Sequence, residues 1–468
     1  MAGGRTHRPE HDEGRCSACA GCSWRCPAAV LPPLRNEQGS LRGALFAKDA
    51  YPGRPRSAPP CVLACPLGQD VPTYVSALAR DDAATAARVI RETNALPAVC
   101  GRLCNASCMR ACTREGIDDG IDIRALKRYA VETAEAPSPS TAGGGADPTV
   151  AVVGAGPAGL AAAHRLIQLG LGVEIFEAAP LAGGLLADVV PGFVLPAKQL
   201  LTDIAVLERQ GVAIRTGTRV GVDVPWSELA DKHSAVLVTT GAARGMRPGL
   251  PGRDLQGVTE VVAFCRTVRR DLDSGLAAPI GAGSSVVVIG GGKPALLAAR
   301  VARRLGAEAI VAHPAPLDRW PAGADAIEHA VEEGVELRAA HRLTGLEGEQ
   351  GRLTAVVLQP VVAGPPDAVG RAPLRNRGSA EPLAAAMLVA AVDRAPTASA
   401  LPDIDGLERG VRGNLNVDGQ YRLGPAGWYA AGEVATGAAS LVDSMATGRR
   451  AANEIAADLM TGNGGGAR

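Results

Sequence analysis

The residues of this sequence best suited to chemistry are its cysteines. Ten of the eleven lie in the first 112 residues. They form three groups: a leading block of Cys16, Cys19, Cys22 and Cys26, a pair of Cys61 and Cys65, and a block of Cys100, Cys104, Cys108 and Cys112. The leading block, which a proline follows, has the Cys-x2-Cys-x2-Cys-x3-Cys-Pro spacing of bacterial ferredoxins. We therefore predict that all ten thiols are ligands of iron–sulfur clusters.

Disulfides and zinc sites are the alternatives for these cysteines. The first fifteen residues contain neither an apolar core nor a small-residue cleavage site, so no secretory signal is visible. Without export, crowded cysteines favour metal binding or catalysis over disulfides. Zinc sites usually take paired Cys-x2-Cys units or added histidine, but none of the seven histidines is clustered with the cysteines. The spacing thus favours iron–sulfur ligation, and it leaves Cys265 as a buried core thiol.

A dinucleotide-binding signature follows the cysteines. A strand is predicted at 149–153 and a helix after it, with Gly154, Gly156 and Gly159 around their junction. These glycines permit, in order, a tight turn, the approach of a pyrophosphate to the backbone, and close packing of helix on strand. Glu177 ends the next predicted strand, where a carboxylate can bind a ribose diol and disfavours a 2′-phosphate. The site therefore fits FAD or NAD better than NADP.

A second strand–glycine–helix pattern indicates another nucleotide domain. It begins with a predicted strand at 285–289 and continues as a helix to about residue 305. The segment 428–437 then returns to a strand–loop–helix pattern, which we predict completes the first domain. The second domain would thus be inserted in the first. Its candidate nucleotide-binding residues are Gly290, Gly291, Gly292 and Lys293.

Composition narrows the class of protein. A chain of 468 residues is expected to form two to four domains. Lysine plus arginine balances aspartate plus glutamate at 48 each, which argues against a nucleic-acid partner. The longest strongly apolar run, near 383–392, is too short to span a bilayer. We expect a cytoplasmic protein without a membrane span.

Local patterns predict helices between the cysteine groups. Apolar spacing favours helix over 67–92, and Asp81 and Asp82 are expected to divide it in two, because aspartate favours helix caps. A further helix is predicted over 123–133, before a flexible Pro/Gly/Ser-rich linker at 137–148.

Several stretches together resemble one known family. The chain resembles the small subunit of glutamate synthase and its relatives, which include the N-terminal half of dihydropyrimidine dehydrogenase. The resemblance runs from Cys61 to the C-terminus. The matching stretches are Cys61-V-L-A-C-P-L-G-Q-D-V-P, T93-N-A-L-P-A-V-C-G-R-L-C, I123-R-A-L-K-R-Y-A, G183-G-L-L, L250-P-G and A430-A-G-E.

The resemblance implies an α/β fold with two Rossmann-like domains, for FAD and for an inserted NAD(P)H site, preceded by a helical iron–sulfur domain with two 4Fe–4S clusters. The expected divisions are an irregular ferredoxin-like cysteine segment at 1–60, the helical 4Fe–4S domain at 61–145, the FAD domain at 146–280 and 395–468, and the NAD(P)H domain at 281–394. The flavin-site candidates are Gly154, Gly156, Pro157, Ala158, Gly159, Glu177, Gly183, Gly184, Leu185, Thr240, Gly241, Gly432 and Glu433.

The resemblance also groups the cysteines. It pairs Cys61 with Cys112 on one cluster. The other cluster would take Cys65, Cys104 and Cys108, for which we predict Cys100 as the fourth protein ligand, although relatives can use a non-cysteine residue further on. The family usually has two more cysteines before Cys61, where this sequence has Gly53 and Arg56. We predict that the leading block supplies the missing ligands. The alternatives are that this cluster is lost, or that the leading block is a disordered tail with a self-contained cluster, or a zinc site.

The nicotinamide site departs from the family pattern. The family has Asn and Thr where this chain has Lys293 and Pro294, and an arginine pair where it has Pro314 and Ala315. Without that pair the charge-assisted contacts to a 2′-phosphate are lost. We therefore expect preference for NADH, or little discrimination. Glu433 replaces the usual Asp and keeps its charge.

These features support one main hypothesis and two alternatives. The main one is an enzyme, an iron–sulfur flavoprotein oxidoreductase that passes electrons between NAD(P)H, FAD, 4Fe–4S clusters and a protein redox partner or larger catalytic subunit. The first alternative is a partner-bound electron-transfer subunit with a degenerate NAD(P)H site. A flavin disulfide reductase is disfavoured, since no Cys-x-x-Cys lies beyond residue 112. No general acid or base stands out, which fits chemistry carried by cofactors.

Overall fold

The computed structural model describes residues 58–135, 149–275, 279–365, 373–396 and 407–461. The leading cysteine block, Cys16 to Cys26, lies outside these residues, as do Gly53, Arg56 and the predicted linker at 137–148. None of the described helices is long and apolar enough to cross a membrane.

The described chain opens with a helical unit. Asp70, Asp82 and Asp122 each precede a helix and accept a hydrogen bond from a first-turn backbone N–H, at 3.2, 2.9 and 3.0 Å. These caps confirm the predicted break at Asp81–Asp82 and the start of the helix at residue 123. The helices are α1 (Pro60–Leu63), α2 (Val71–Leu78), α3 (Ala83–Arg91), α4 (Pro97–Leu103), α5 (Ser107–Arg110) and α6 (Ile123–Thr133), with a 3₁₀ turn at Thr113–Gly116.

A five-stranded parallel sheet forms the first α/β unit. Its spatial order is β16-β4-β1-β2-β3, so the strand from the C-terminal segment lies beside β4 and completes this sheet. Its strands are β1 (Thr149–Val153), β2 (Gly172–Phe176), β3 (Ala213–Arg215), β4 (Ala235–Val238) and β16 (Trp428–Ala430). Its helices are α7 (Pro157–Gln168), α8 (Leu185–Asp188), α9 (Ala197–Arg209), α10 (Trp226–Lys232), α14 (Glu433–Thr436) and α15 (Leu441–Thr461).

The chain between β4 and β16 forms a second parallel sheet. Its strands stand in the order β6-β14-β7-β8-β9. Strand β6 of this sheet lies before residue 280, where the limit between the two domains was predicted. No nucleotide-binding motif accompanies β6 in the sequence, so no local signal indicated that this strand belongs to the second sheet. Its strands are β6 (Val258–Glu260), β7 (Ser285–Ile289), β8 (Glu308–His313), β9 (Glu336–Ala339) and β14 (Met387–Ala390). Its helices are α11 (Val261–Asp273), α12 (Lys293–Arg304) and α13 (Ala324–Glu332), with a 3₁₀ turn at Leu317–Arg319.

Two antiparallel sheets complete the architecture of the described residues. The long strand β11 (Arg352–Ala363) pairs with β10 (His341–Glu349), β12 (Leu374–Asn376) and β13 (Glu381–Ala384). The short strands β5 (Arg244–Gly245) and β15 (Arg394–Ala395) pair where the chain passes between the two parallel sheets. The two chain segments that connect the parallel sheets therefore run side by side.

The helical unit shares a core with the first sheet. Leu96, Val99 and Cys100, from α4 and its start, are buried in one cluster with Leu160 of α7 and Met445 of α15. Helix α4, which carries Cys100, thus shares a buried core with α7, the helix that follows the first glycine loop, and with α15.

Candidate cofactor sites

The first glycine loop has the geometry of a pyrophosphate site. A Cβ at Gly154 would stand 2.7 Å from the carbonyl oxygen of Thr239, and one at Gly159 would stand 2.1 Å from that of Gly154. A Cβ at Gly156 would meet no atom within 4 Å. Gly156 therefore borders open space at the N-terminus of α7, where free N–H groups and the helix dipole favour phosphate.

Glu177 fixes this loop as well as facing the cavity. Its Oε2 accepts a hydrogen bond from the N–H of Ala155 at 2.8 Å, and its Oε1 accepts one from Ala179 at 2.8 Å. Both carboxylate oxygens are thereby oriented. Each oxygen keeps a second lone pair, so the carboxylate can still accept hydrogen bonds from a ribose diol.

A cavity of about 940 Å³ opens from this loop. That volume lies at the upper end of the range for cofactor and ligand sites, so an FAD-sized group fits. The predicted residues that line it are Gly154, Gly156, Pro157, Ala158, Glu177, Gly184, Leu185, Thr240, Gly241 and Glu433. The other three predicted glycines, Gly159, Gly183 and Gly432, do not line the cavity. A Cβ at each of them would stand 2.1, 2.7 and 2.6 Å from other protein atoms.

An ion pair that the sequence did not reveal borders the cavity. The guanidinium of Arg394 is bidentate to Glu433, with Nη1 at 2.7 Å from Oε2, and it also donates to the carbonyl of Ala242 at 3.3 Å. Glu433 in addition accepts from the N–H of Ala439 at 3.0 Å. Because Arg394 belongs to β15, this ion pair connects the segment that passes between the two parallel sheets to Glu433, a flavin-site candidate.

The second glycine loop repeats the first with one difference. A Cβ at Gly290 would stand 2.4 Å from the carbonyl oxygen of Ala391, so a tight turn is required there. At Gly291, however, a Cβ would meet the imidazole of His313 at 2.8 Å. His313 packs edge-on against Trp320 at 5.5 Å, and the N–H of Ala322 donates to the carbonyl of Gly291 at 3.1 Å. The segment after β8 therefore covers one side of this loop.

Lys293 follows that loop and is partly buried beside charged groups. Burial lowers the pKa of Lys293; among its neighbours, the carboxylate of Asp325 and the thiol of Cys104 act to raise it, and Arg124 and Arg110 to lower it. Arg124 of α6 pairs with Asp325 of α13 at 3.0 Å. The second glycine loop thus lies next to the cysteine-bearing helical unit. The basic side chain at this loop, Lys293, already has an acidic neighbour in Asp325.

The six described cysteines of the helical unit are free thiols. Burial, with further contributions from Cys108 and Cys112, raises the pKa of Cys61 to about 12. Burial and the thiols of Cys65 and Cys104 raise that of Cys108 to about 11, against the effect of Lys127. Thiols held neutral in this way need a metal or cluster to become thiolates.

No three His, Cys, Asp or Glu side chains within the described ranges converge closely enough to hold a single metal ion.

Lys127 is a feature of this unit that sequence reasoning missed. It lies on the inner face of α6, between the buried residues Ile123 and Ala130, and its own exposure is 4%. Burial acts to lower the pKa of Lys127, whereas negative charge on the surrounding cysteine sulfurs acts to raise it, and with that charge the pKa is raised. Those sulfurs belong to Cys100, Cys104, Cys65 and Cys108. The only available signal was a lysine at an otherwise apolar helical position.

Two contacts join the cysteine-bearing helix α4 to the flavin framework. Asp203 of α9 accepts hydrogen bonds from the N–H groups of Ala98 at 2.8 Å and Val99 at 3.2 Å. Cys100 Sγ lies 3.8 Å from Sδ of Met445 in α15. The residue before Met445, Ser444, lines the flavin cavity.

Comparison with known protein families agrees with this geometry. Residues 148–452 match the pyridine nucleotide-disulphide oxidoreductase family. The chain belongs to this family. Residues 56–138 match a second family, dihydropyrimidine dehydrogenase domain II, 4Fe-4S cluster. The predicted α/β fold class, the oxidoreductase class and the cofactors FAD, NAD(P)H and 4Fe–4S are thereby confirmed.

Individual relatives support the same family. The chain is 33% identical over 450 residues to the NADP(+)-dependent formate dehydrogenase subunit beta of Moorella thermoacetica, covering 90% of this chain and 62% of that protein. It is 28% identical over 446 residues to the glutamate synthase [NADPH] small chain of Halomonas elongata, covering 88% of this chain and 93% of that one. The chain thus spans less than two thirds of the Moorella subunit. The predicted resemblance to the glutamate synthase small subunit is confirmed.

A solved structure shows the same fold. FprA of Mycobacterium tuberculosis, in complex with NADPH, superposes with a TM-score of 0.58 at 17% identity, over 67% of this chain and 85% of that one. At this identity the likeness concerns the fold alone.

Proposed function

We propose that this chain takes electrons from a nicotinamide nucleotide into FAD at the first glycine loop and passes them, through the cysteine-bearing unit, to a protein redox partner or larger catalytic subunit. Bound FAD would supply the change from two-electron to one-electron chemistry. The chain's own residues would bind and orient: Gly156 and the start of α7 for the pyrophosphate, Glu177 for the ribose.

The observation that carries this proposal is the packing of α4 against the flavin cavity wall. Cys100 Sγ contacts Met445, and Met445 follows a residue that lines the cavity. The same helix is anchored through Asp203 to the first α/β unit. The thiols and the cavity are therefore neighbours within one buried core rather than on separate lobes.

The site residues have distinct roles in the proposal. The residues that line the cavity would contact FAD. Gly290, Gly291, Gly292 and Lys293 would contact the nicotinamide nucleotide. Cys65, Cys104 and Cys108, with Cys100 as the fourth residue, would hold one cluster, and Cys61 with Cys112 would hold part of another. The domain limits predicted from the sequence remain part of this proposal, except that β6 and α11 are assigned to the second domain, whose sheet and core they join.

A second candidate function is an electron-transfer subunit whose nicotinamide site no longer binds its nucleotide. Two features favour it: the imidazole of His313 would lie 2.8 Å from a Cβ at Gly291, and Lys293 has an acidic neighbour. Such a chain would exchange electrons between its clusters and FAD without a hydride donor of its own.

Anaerobic reduction distinguishes the two candidates. Purified holoenzyme is mixed with NADH or NADPH while the flavin absorbance is followed, and samples are frozen for electron paramagnetic resonance. The proposal expects the flavin band to bleach first and a reduced-cluster signal to follow. If neither nucleotide bleaches the flavin, while dithionite reduces both centres, the second candidate replaces the first.

A further inference from the structure

Lys127 is a buried cation, with 4% of its surface exposed, and the cost of burying its charge must be offset. Lysine is almost never fully buried unless it is paired, because burying an isolated ammonium is costly. The four groups that act most strongly on this ammonium are thiols. A neutral thiol is a poor partner for a cation, whereas a thiolate bound to iron carries negative charge.

The helix packing places Lys127 against the cysteines independently of any electrostatic argument. Gly101, next to Cys100, lies so close to α6 that a Cβ there would stand 2.9 Å from Cβ of Arg128. Arg124 donates from Nη1 to the carbonyl of Cys104 at 3.3 Å. Both arginines lie within one turn of Lys127.

The third cysteine is joined to the same face of α6. Cys108 is buried in one cluster with Ile123 and Ala130, which lie on either side of Lys127 on the inner face of the helix. Helix α6 thus contacts the segments that carry Cys100, Cys104 and Cys108, and Lys127 is buried on the helix face that also carries Ile123 and Ala130.

We propose that Lys127 is the internal counter-ion of the cluster bound by Cys65, Cys104 and Cys108, and that its charge stabilises the reduced form. This inference rests on the proposed function, because it requires that cluster to form. A cluster that gains one electron gains one negative charge, and a fixed positive charge beside it favours that state. Net charge and burial are among the properties that set iron–sulfur potentials.

The test compares Lys127→Met, which removes the charge but keeps an unbranched chain, with Lys127→Arg, which keeps the charge. Lys198→Met, at an exposed position on α9, is the control for loss of a lysine. Each holoenzyme is assayed for iron and sulfide, and its cluster potential is measured by dithionite titration followed by electron paramagnetic resonance.

Lys127→Met is expected to lower the potential, so that the ratio of reduced to oxidised cluster at the wild-type midpoint falls about tenfold, or about 59 mV for one electron. Lys127→Arg and Lys198→Met should stay at the wild-type value. An unchanged potential in Lys127→Met overturns the inference. Loss of the cluster in both position-127 variants also overturns it, since the amine itself would then be required. Loss in Lys127→Met alone supports it.

A second readout does not depend on the bound cluster. In chelator-stripped protein the thiols are neutral, so the buried ammonium has lost its partner. Lys127→Met apoprotein should then resist urea at least as well as wild-type apoprotein. A lysine with only a structural role would make the variant less stable in this state, and that result contradicts the inference. Absence of any cluster from the wild type would instead refute the proposed function.

Discussion

The carboxylate of Asp203 accepts a hydrogen bond of 2.8 Å from the backbone N–H of Ala98, across two units of the protein. Ala98 belongs to the first turn of α4, whose N–H groups have no partners within the helix. Asp203 has no exposed surface, and Arg91 lies 3.4 Å from its Oδ1. One buried carboxylate thereby caps the helix that carries Cys100 and fixes it to the flavin framework.

Asp203→Ala should destabilise the protein by about 3 kcal/mol, because it leaves buried N–H groups without an acceptor and Arg91 without its partner. Asp203→Asn, which keeps one acceptor oxygen, should cost less. Urea unfolding measures both, with the exposed Asp231→Ala as control. Equal stability of Asp203→Ala and the control would show that the cap is not needed.

The stability difference between wild type and Asp203→Ala should depend on pH. Burial raises the pKa of Asp203 to about 7, although Arg91 and the N–H groups of Val99 and Ala98 act to lower it. In the unfolded chain this carboxyl titrates near 4. Between about 4 and about 7 the folded protein therefore holds the additional proton, so the free energy of unfolding falls as pH rises. The wild-type advantage should be larger at about pH 5 than at about pH 8, and the reverse slope would contradict this assignment.

Gly156→Val should abolish retention of FAD without unfolding the protein. A Cβ at this position meets no protein atom within 4 Å, so only a bound pyrophosphate would clash with the new side chain. Flavin released from denatured protein is quantified by absorbance. Gly249→Val, which is also free of contacts and of a left-handed backbone, is the matched control. Full flavin content in Gly156→Val would place the pyrophosphate elsewhere.

Cys104→Ala should lower the iron content by about one four-iron cluster. The Sγ of Cys104 accepts a hydrogen bond from the backbone N–H of Ala106 at 3.3 Å, an interaction that tunes cluster thiolates. Cys265→Ala removes an equally buried thiol far from the others in sequence, in the second α/β unit, and should leave iron and the paramagnetic spectrum unchanged. Equal iron in the two variants would remove Cys104 from the ligands.

The sequence predicted most of the elements because local signals and tertiary packing agree in them. The strands at 149–153 and 285–289 and the helix at 123–133 are confirmed at their predicted limits. Each has an apolar run or a capping aspartate that needs no distant partner. The antiparallel strands around β11 were not predicted, because their exposed faces carry no strong alternation and their pairing is set by distant segments.

The residues that sequence reasoning missed are those whose role depends on a distant contact. Lys127, Asp203 and Arg394 are ordinary charged residues in their own segments. Only the fold buries the first among thiols, brings the second to the start of α4, and pairs the third with Glu433. A cofactor loop can be recognised in a sequence because the spacing of its glycines is local. The charged residues that support such a loop cannot be recognised in this way, because their partners lie in distant segments.

Asp325→Asn should tighten the binding of both nicotinamide nucleotides. The variant keeps an acceptor for Arg124 but removes the negative charge beside Lys293, which follows the glycine loop expected to hold the pyrophosphate. Because NADH and NADPH share the pyrophosphate, one regained charge-assisted contact, of about 1.5–3 kcal/mol, would raise both affinities at least about tenfold. Calorimetric titration with both nucleotides measures the affinities. Glu328→Gln, one turn along α13 and exposed, should leave them unchanged.

Deleting residues 1–50 tests whether the leading cysteine block shares a cluster with the helical unit. The usual family ligands are replaced by Gly53 and Arg56, so Cys61 and Cys112 need donors from elsewhere. If the block supplies them, deletion removes the cluster at Cys61 and Cys112 together with the block's own iron. Flavin reduction should survive, because the first glycine loop and Asp203 are untouched, while electron transfer to the partner fails.

A full-length variant with alanine at Cys16, Cys19, Cys22 and Cys26 is the matched control for this deletion, since it removes the thiols but keeps the chain. It should lose the same iron as the deletion. If both forms keep the iron and still reduce the partner, the leading block is outside the electron path. If the deletion alone loses partner reduction, the segment contributes by contact and not by ligation, because both forms lack the four thiols and only the deletion lacks the rest of the segment.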